Sequence, residues 1–592
     1  MQQKQIIWNS SKKNNTQISI PEYLENNSDE VRRVYLEFTD DLLSRIAVKN
    51  KNNKKLQGIE FETILDMSLI LEKSIYKTPE IIIVLKLIAF EKLIKKKKLK
   101  NVKIFGVENY FEQSEIIALL NSYSINYEFE NLLEIKSKTI TCSEIITYIY
   151  NVLYALFWYS KIILISFSLK NRQKSIALNQ NLIITYFSIL NTDIKKNSQL
   201  VIDHYWGDLF RKFSNWNYKT NLFYINASNT RKEIQFAEET IDTISKNSGK
   251  NLLFNNYLIF SSHSLNIIFS VLKKWVITVL CAPKFNNLKM DFTPKNSKLF
   301  LYRIYKNSWI KSIYGKTCIE NIFFIEIFNK IMKNLSHQNN CIFLFEGQAW
   351  ENALAKAWNK YHHGNLIGIA HSTIRFWDLR YFDCQRMNKY NYFLTVNSQK
   401  SYNQFIKIGY SPDKIFQVEA LRYINLEKSN MKKNNYVKKL LILGDIQIKP
   451  TLDLINNVNE ISHHLKNYKI SFKPHFANPI KKELFTKINV DILDIPLSKN
   501  IHKFDIVYCA NPTSSAVDAY ISGLKTIIHY NFDGINFSPL RGYSNVYFVK
   551  NSYELLESLK EDVSMFNMNE QKNFWLNDNL PKWKNLIENF RI

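Results

Sequence analysis

The chain has 592 residues, enough for two or more compact domains, and its 46% hydrophobic and 22% charged composition excludes a globally disordered protein. Lysine and arginine outnumber aspartate and glutamate by 79 to 53, and the resulting charge of +26 would attract phosphate-rich partners. No nucleic-acid-binding motif accompanies this charge, so we expect no nucleic acid partner and attribute part of the excess to a general lysine bias. The six cysteines form no CxxC pair, which argues against a zinc ribbon or a dense disulfide framework and indicates a reducing compartment.

The N-terminal part begins with residues 1–30, which are polar and which we predict to be a disordered tail. This stretch lacks the apolar core of a secretory signal, so we expect a cytoplasmic location. The first regular elements follow near residue 102, where NVKIFG is typical of a strand, SEIIALLNSY of a helix and INYEF of a second strand. This pattern predicts a βαβ unit.

Two apolar segments follow, at residues 145–169 and 265–281. The first is long enough to span a bilayer, but it carries Asn151, Lys161 and four tyrosines and is followed by basic residues. Polar residues interrupt the second segment in the same way. Three interpretations stay open for these segments: buried core helices, helices lying in a membrane interface, and a true membrane span.

The second half of the chain repeats a strand, loop and helix pattern, which is typical of a parallel sheet covered by helices. Within residues 341–371, CIFLF is a buried strand, the helix that follows Gly347 has apolar residues at helical spacing, and LIGIA is the next strand. Glu346 and His371 therefore follow neighbouring parallel strands. This is the sheet edge at which open α/β proteins bind ligands.

The segment 371–382, HSTIRFWDLRYF, places four charged or titratable side chains among aromatic residues in a loop. These are His371, Arg375, Asp378 and Arg380. The imidazole is a candidate base or a hydrogen-bond donor to phosphate. The alternative is a capping histidine beside a surface ion pair.

A polar stretch at 427–439 predicts a linker to a second domain, which contains two candidate phosphate sites. After the strand YKISF, Lys473 and His475 flank a proline and form a cationic loop suited to a phosphate group. After the strand DIVYC, Thr513 or Ser514 is predicted to cap a helix whose free N–H groups bind an anion. The alternative for the second site is an ordinary helix cap.

These segments carry a resemblance to known proteins. The runs EGQAWENALAKAW, GIAHSTIRFWDLRYF, VNSQKSYNQFIKIGY and VEALRY resemble the bacterial surface carbohydrate biosynthesis family, found with lipopolysaccharide and capsule genes. Residues 69–93 and 184–209 are similar to its N-terminal portion. KPHF and NPTSSAVD are similar to the phosphate-binding motifs of GT-B enzymes that use cytidine nucleotides, among them sialyl- and Kdo-transferases and CDP-glycerol glycerophosphotransferases. Phe476 departs from the proline that is usual in the first motif.

The resemblance implies an α/β fold of the GT-B type, with two Rossmann-like domains facing a cleft. Residues 31–430 would form the acceptor-side domain with the apolar helices inserted, and 438–592 the donor domain. The implied donor phosphate ligands are Lys473, His475, Thr513, Ser514 and Ser515, with Gly444, Asp445 and Gln447 lining the nucleotide pocket. The implied catalytic residues are His371, Glu346, Asp378 and His475, with Glu351 a further candidate for the base or nucleophile. Arg375, Arg380 and Glu351 are the acceptor-binding candidates.

The activity implied by the resemblance is that of a glycosyltransferase at the inner, anionic face of the cytoplasmic membrane. It would move a CMP-activated nonulosonic sugar, such as Kdo or a sialic-acid-like sugar, to a lipid-linked or saccharide acceptor. We expect neither a metal nor a cofactor, because no clear Asp-x-Asp motif follows a strand. Two alternatives stay open: a CDP-polyol phosphotransferase, and a noncatalytic basic protein that binds nucleic acid or another polyanion.

Overall fold

The computed structural model describes residues 3–11, 14–50, 58, 60–131, 143–169, 181–187, 205–226, 230–247, 254–282, 291–426, 437–475, 478–480, 482–495, 497–532, 534–561 and 573–590. Most of the predicted linker and Phe476 lie outside these residues. The strands are β1 Lys4–Ile7, β2 Gln17–Ser19, β3 Asn101–Phe105, β4 Asn126–Phe129, β5 Asn181–Phe187, β6 Thr220–Asn226, β7 Phe254–Leu258, β8 Asn340–Leu344, β9 Asn365–Ile369, β10 Phe393–Val396, β11 Ile415–Gln417, β12 Lys438–Leu443, β13 Tyr468–Lys473, β14 Asp491–Ile492, β15 Ile506–Ala510, β16 Lys525–His529 and β17 Val546–Val549.

Helices connect and cover these strands. They are α1 Ile20–Asn26, α2 Ser28–Asn50, α3 Phe61–Asp66, α4 Leu69–Glu72, α5 Glu80–Lys97, α6 Tyr110–Ser122, α7 Ser143–Ser168, α8 Leu209–Asn215, α9 Arg231–Asn247, α10 Leu265–Cys281, α11 Tyr302–Ile313, α12 Lys316–Asn334, α13 Ala349–Lys360, α14 Cys384–Tyr390, α15 Gln399–Lys407, α16 Ile448–Glu460, α17 Ser515–Ile521, α18 Ser552–Lys560 and α19 Pro581–Asn589.

A four-stranded parallel sheet of order β2-β1-β3-β4 opens the chain. The predicted βαβ unit is confirmed as β3, α6 and β4. The prediction of a disordered tail over residues 1–30 is wrong, because Ile6 and Trp8 are fully buried and the indole of Trp8 donates to Glu112 at 2.8 Å. The few apolar residues of this polar stretch fall at the positions that the sheet buries.

Two larger parallel sheets form the rest of the fold. One has seven strands in the order β11-β10-β9-β8-β5-β6-β7, and the other has six in the order β14-β13-β12-β15-β16-β17. These sheets confirm the α/β class, with two Rossmann-like units facing a cleft. The N-terminal portion departs from the prediction of one Rossmann-like domain over 31–430, because it also contains two strands of the four-stranded sheet, β3 and β4.

The last helix crosses from the six-stranded unit back to the seven-stranded one. In α19, Trp583, Leu586 and Ile587 are buried in the core that surrounds the seven-stranded sheet. The carboxylate of Glu419 accepts hydrogen bonds from the backbone N–H groups of Lys582 and Trp583, at 2.9 and 3.1 Å. The predicted donor domain of 438–592 is therefore wrong in its last part, since amphipathic spacing does not reveal which sheet a helix covers.

The two apolar segments form α7 and α10, and both pack against α12. Ala155 and Ile162 of α7 and Val271 of α10 are buried in this packing. By length and composition, residues 146–168 could cross a membrane, with 39% of the apolar window buried against the protein. Each helix therefore has one core-facing side and one exposed side.

Candidate active site

A cavity of about 260 Å³ lies between the seven-stranded and six-stranded sheets. Glu346 and His371 line it from the loops that follow β8 and β9, which are paired parallel neighbours. Ser514 lines it from the loop that follows β15. The carboxyl edges of both sheets thus contribute to one cavity, as expected for a ligand site in open α/β units.

Glu346 is presented by a tight turn between β8 and α13. Its backbone N–H and that of Gln348 both donate to the Glu351 carboxylate, at 2.9 and 3.0 Å. Gly347 lies in this turn with a φ of +68°, and a Cβ added there would lie 2.6 Å from the Cβ and carbonyl oxygen of Arg380. Glu351 is buried and engaged with the backbone, so its observed role is to hold the turn.

His371 lies opposite Glu346, with 3.6 Å between its Nε2 and the Glu346 Oε1. The imidazole is buried, its ring meets Tyr205 edge-on at 4.7 Å, and its Nδ1 has no hydrogen-bond partner among the described residues. Burial and the nearby guanidinium groups of Arg422 and Arg380 lower the pKa of His371 to about 3. Burial also raises the pKa of Glu346, which makes its carboxylate a stronger proton acceptor, whereas burial disfavours the imidazolium form of His371.

Arg380 and Asp378 form a two-pronged ion pair beside these residues. The guanidinium Nε and Nη2 donate to the two Asp378 oxygens at 2.7 Å each. Both side chains are nearly buried, at 11% and 9% exposed. Because both Asp378 oxygens are occupied, the carboxylate positions Arg380 and is poorly placed to act as the base or nucleophile.

Arg375 reaches across the cleft from the seven-stranded unit to the six-stranded one. Its Nη2 donates to the Ser514 hydroxyl at 2.8 Å and to the Pro512 carbonyl at 3.0 Å, and its Nη1 donates to the Tyr76 hydroxyl at 2.9 Å. All three acceptors are neutral. The guanidinium charge therefore lies at the start of α17 without being neutralised by these contacts.

The loop that carries Arg375 is held from both sides. Phe376 lies between the guanidinium groups of Arg32 and Arg541, which are 3.7 and 3.9 Å from the centre of its ring. Arg541 belongs to the six-stranded unit and also pairs with Glu25 near the N-terminus. The loop that carries Arg375 is therefore held by one group from α2 and one from the six-stranded unit.

Arg422 is a second cation of the cavity, and the six-stranded unit faces it with Asp518. Its side chain lines the cavity, and the neighbouring Tyr423 and Asp518 raise its pKa while desolvation by the surrounding protein opposes this rise. Burial raises the pKa of Asp518 to about 6, against the opposing effect of Arg422. Arg375 and Arg422 thus place two positive charges near α17.

The predicted donor residues of the six-stranded unit meet at one sheet edge, because β12 lies between β13 and β15. Lys473, however, donates to the Ile495 and Leu493 carbonyls at 2.9 and 3.4 Å. Thr513 donates to Asp445 at 3.0 Å, and the second Asp445 oxygen accepts from the Gln447 backbone. These groups are therefore already engaged in holding the loops together.

The remaining predicted residues complete this edge. The Gly444 N–H donates to the Lys473 carbonyl at 2.9 Å, and a Cβ on this glycine would approach the His475 backbone nitrogen at 3.2 Å. His475 forms an isolated antiparallel bridge with Asn478. Ser515 is the first residue of α17, and the side chain of Ser514 makes no capping hydrogen bond to that helix. The Ser514 hydroxyl is instead available to the cleft, where it meets Arg375.

Sequence reasoning missed several cavity residues. Arg422 and Tyr423 follow β11, and Tyr76 and Tyr205 come from loops far away in the sequence. The run VEALRY at the end of β11 was the available signal for Arg422, since it follows a strand of the same sheet as His371. Among the described residues, no cluster of three or more histidine, cysteine, aspartate or glutamate side chains is arranged to hold a metal ion.

No protein-family model and no curated protein matches the chain. Solved structures that are similar include UDP-GlcNAc 2-epimerase from Methanocaldococcus jannaschii, at 12% identity and a TM-score of 0.40, over 69% of this chain and 99% of that chain. Others are Alr3699/HepE of Anabaena in complex with UDP and glucose, at 10% and 0.33, and the calicheamicin glycosyltransferase CalG4, at 9% and 0.36. Each of these two covers 67% of this chain and 92% of its own length. Similarities at this level assign no activity to the chain.

Proposed function

We propose that the chain is a glycosyltransferase of surface polysaccharide biosynthesis that transfers a CMP-activated nonulosonic sugar to a saccharide or lipid-linked acceptor. The observation that carries the proposal is the cavity between the two sheets. It combines the buried imidazole of His371 and the partly buried carboxylate of Glu346 with two arginines and a serine hydroxyl at the start of α17. The similarity of KPHF and NPTSSAVD to cytidine-nucleotide transferase motifs supports the choice of donor.

The donor phosphate is assigned to Arg375, Arg422 and Ser514. Transfer breaks the bond between the sugar carbon and the phosphate oxygen, and the electron pair leaves with that oxygen. The Arg375 guanidinium, whose hydrogen-bond acceptors are all neutral, can neutralise this charge as it develops, and Arg422 adds a second positive charge. Lys473, which is engaged with carbonyl oxygens, contributes to the shape of the donor loop in this proposal.

The acceptor hydroxyl is assigned to the opposite wall. Its oxygen forms the new bond to the sugar carbon, and its proton passes to the Glu346 and His371 pair. Glu346 is the stronger proton acceptor of the two, because its pKa is raised while that of His371 is lowered to about 3. His371 then orients the acceptor through its ring nitrogens. Asp378 holds the Arg380 guanidinium, and therefore its positive charge, beside Glu346 and His371.

Calorimetry with CMP tests the donor assignment. We expect Arg375→Gln to weaken CMP binding about 10- to 100-fold, because a charged hydrogen bond contributes about 1.5–3 kcal/mol. Lys473→Gln should change it less than about threefold, and Arg33→Gln, on the exposed face of α2, serves as the matched control. Equal CMP affinity in wild type and Arg375→Gln contradicts the assignment.

Donor turnover separates the candidate chemistries. Release of CMP from a CMP-sugar supports sugar transfer, whereas release of CMP from CDP-glycerol supports the polyol phosphotransferase alternative. Glu346→Gln should abolish turnover and leave CMP affinity unchanged. His475→Ala tests whether the histidine of the sequence motif also contacts the nucleotide, since CMP binding should then fall.

A further inference from the structure

Helix α7 exposes a long apolar stripe. Large apolar and aromatic side chains face solvent along its length and are interrupted by Ser160 and Lys161, and Leu153, Phe157 and Leu164 are 60%, 67% and 71% exposed. The opposite side of the helix is buried against the protein, with Ala155 and Ile162 fully covered. An exposed apolar stripe of this length is uncommon on a soluble surface and marks an interaction site.

Helix α10 continues this surface. Phe269 and Leu280 are 69% and 73% exposed, and Leu265 at the start of the helix is 58% exposed. The two helices are joined by His263, which lies just before α10 and whose ring nitrogens are 2.8 Å from the Ser166 hydroxyl and 3.1 Å from the Tyr159 hydroxyl. This contact brings the C-terminal half of α7 beside the start of α10. We call the exposed sides of the two helices together the apolar face.

The charges on the parts of the two helices that carry this face are positive. Residues 146–168 and 265–281 contain three lysines and no aspartate or glutamate, and Glu144 lies in the first turn of α7, before these residues. Lys274 is paired with Glu326 at 2.7 Å, while Lys161 and Lys273 are exposed. An apolar face whose charges are positive complements anionic lipid headgroups. Self-association of two copies through the same face would instead bring like charges together.

The packing of α7 selects a helix lying in the interface over a helix crossing the bilayer. Its core-facing side contacts α12, and the buried Tyr159 is tied to His263. Crossing the membrane would remove this side from its contacts, whereas lying in the interface plane leaves them intact. The exposed side alone is then available to lipid.

We propose that the apolar face docks the protein onto the surface of an anionic phospholipid bilayer, with Lys161 and Lys273 beside the lipid phosphates. This goes beyond the proposed function and is independent of it, since none of these residues lines the cleft between the sheets. Exposed leucine and phenylalanine side chains enter the boundary between headgroups and acyl chains. Docking would hold the cleft at a fixed distance from membrane-bound molecules.

Cosedimentation of the full-length protein with vesicles tests this proposal. The protein should bind vesicles of phosphatidylcholine and phosphatidylglycerol better than vesicles of phosphatidylcholine alone, and added salt should weaken the binding. Leu153→Gln, Phe157→Gln and Leu164→Gln should each weaken binding about tenfold, because each removes one large apolar side chain from the lipid boundary. Tyr553→Gln, at a 69% exposed aromatic residue on α18, is the matched control.

The contribution of the two lysine charges is tested with Lys161→Glu and Lys273→Glu. Lys487→Glu in the six-stranded unit is the control. The first two variants should lose the preference for phosphatidylglycerol, and the control should keep it. Each variant is first checked for wild-type thermal unfolding, which is expected because the replaced side chains are exposed. Wild-type vesicle binding by a properly folded Leu153, Phe157 and Leu164 triple variant would overturn the proposal. So would a stable dimer that these variants dissociate.

Discussion

Replacement of Gly347 by alanine tests the turn that presents Glu346. The added Cβ would lie 2.6 Å from the Cβ and carbonyl oxygen of Arg380, so the contact must open by about 0.8 Å to reach the 3.4 Å of ordinary van der Waals contact. The φ of +68° adds about 1–2 kcal/mol for a residue with a side chain. Together these effects should lower the free energy of unfolding by about 2–4 kcal/mol. A displacement on the order of 1 Å at a reacting group should also lower turnover about 100-fold.

Two measurements on the same Gly347→Ala protein separate these effects. Urea denaturation measures the stability loss, and donor turnover at saturating CMP-sugar measures the catalytic loss. CMP affinity should change less than about threefold, because the turn lies on the wall assigned to the acceptor. Gly534→Ala is the control, since nothing lies within 4 Å of a Cβ at that position. Wild-type stability and turnover in Gly347→Ala, or a CMP affinity that falls as much as turnover, would refute the reasoning.

Three further predictions concern stability. Glu419→Ala leaves two backbone N–H groups in the first turn of α19 without the carboxylate that accepts their hydrogen bonds. Urea denaturation should show a free energy of unfolding lower by about 2–4 kcal/mol. An unchanged midpoint would contradict the anchoring of α19 by Glu419. The unfolded chain protonates His371 near pH 6.5, whereas the folded chain protonates it only near pH 3. This imidazole should therefore cost wild type about 4–5 kcal/mol of stability as the pH falls through this window. His371→Gln should show a correspondingly flatter pH dependence of its urea midpoint. Asp378→Asn leaves the buried Arg380 beside a neutral partner and should lower the free energy of unfolding by about 3 kcal/mol in a thermal unfolding assay. Asp491→Asn, in the exposed pair with Lys469, should change it by no more than about 0.5 kcal/mol in the same assay.

The strands and helices of the two large sheets could be predicted from local patterns in the sequence. Strands such as β8 and β15 are short apolar runs that polar turns interrupt, and the helix after Gly347 has apolar residues at a helical period. Because carboxyl ends of parallel neighbours meet at one edge, the proximity of Glu346 and His371 followed from their positions after successive strands. What these residues do in a reaction stays a prediction.

The pairing of strands and side chains that lie far apart in the sequence could not be predicted in this way. The pairing of β1 with β3 joins residues near position 5 to residues near position 103, and local polarity made the first of them look disordered. The partners of Lys473 are likewise carbonyl oxygens some twenty residues away, which no motif predicts. A lysine in a strand-end loop satisfies a phosphate-binding pattern equally well whether its ammonium group faces the cleft or the backbone.

Arg375 joins the NPTSSAVD motif of the six-stranded unit to the seven-stranded unit. Its guanidinium donates to the Ser514 hydroxyl of this motif, and the next residue in the chain, Phe376, lies between Arg32 and Arg541. A phosphate bound there would contact both units at once, so its affinity depends on how closely they approach each other. Arg375→Lys would keep the charge but lose the fork that reaches Ser514, Pro512 and Tyr76 together. In the proposed function, donor binding and the spacing of the cleft are therefore coupled through this one side chain, and the six-stranded unit separated from the seven-stranded unit should bind nucleotide phosphate poorly.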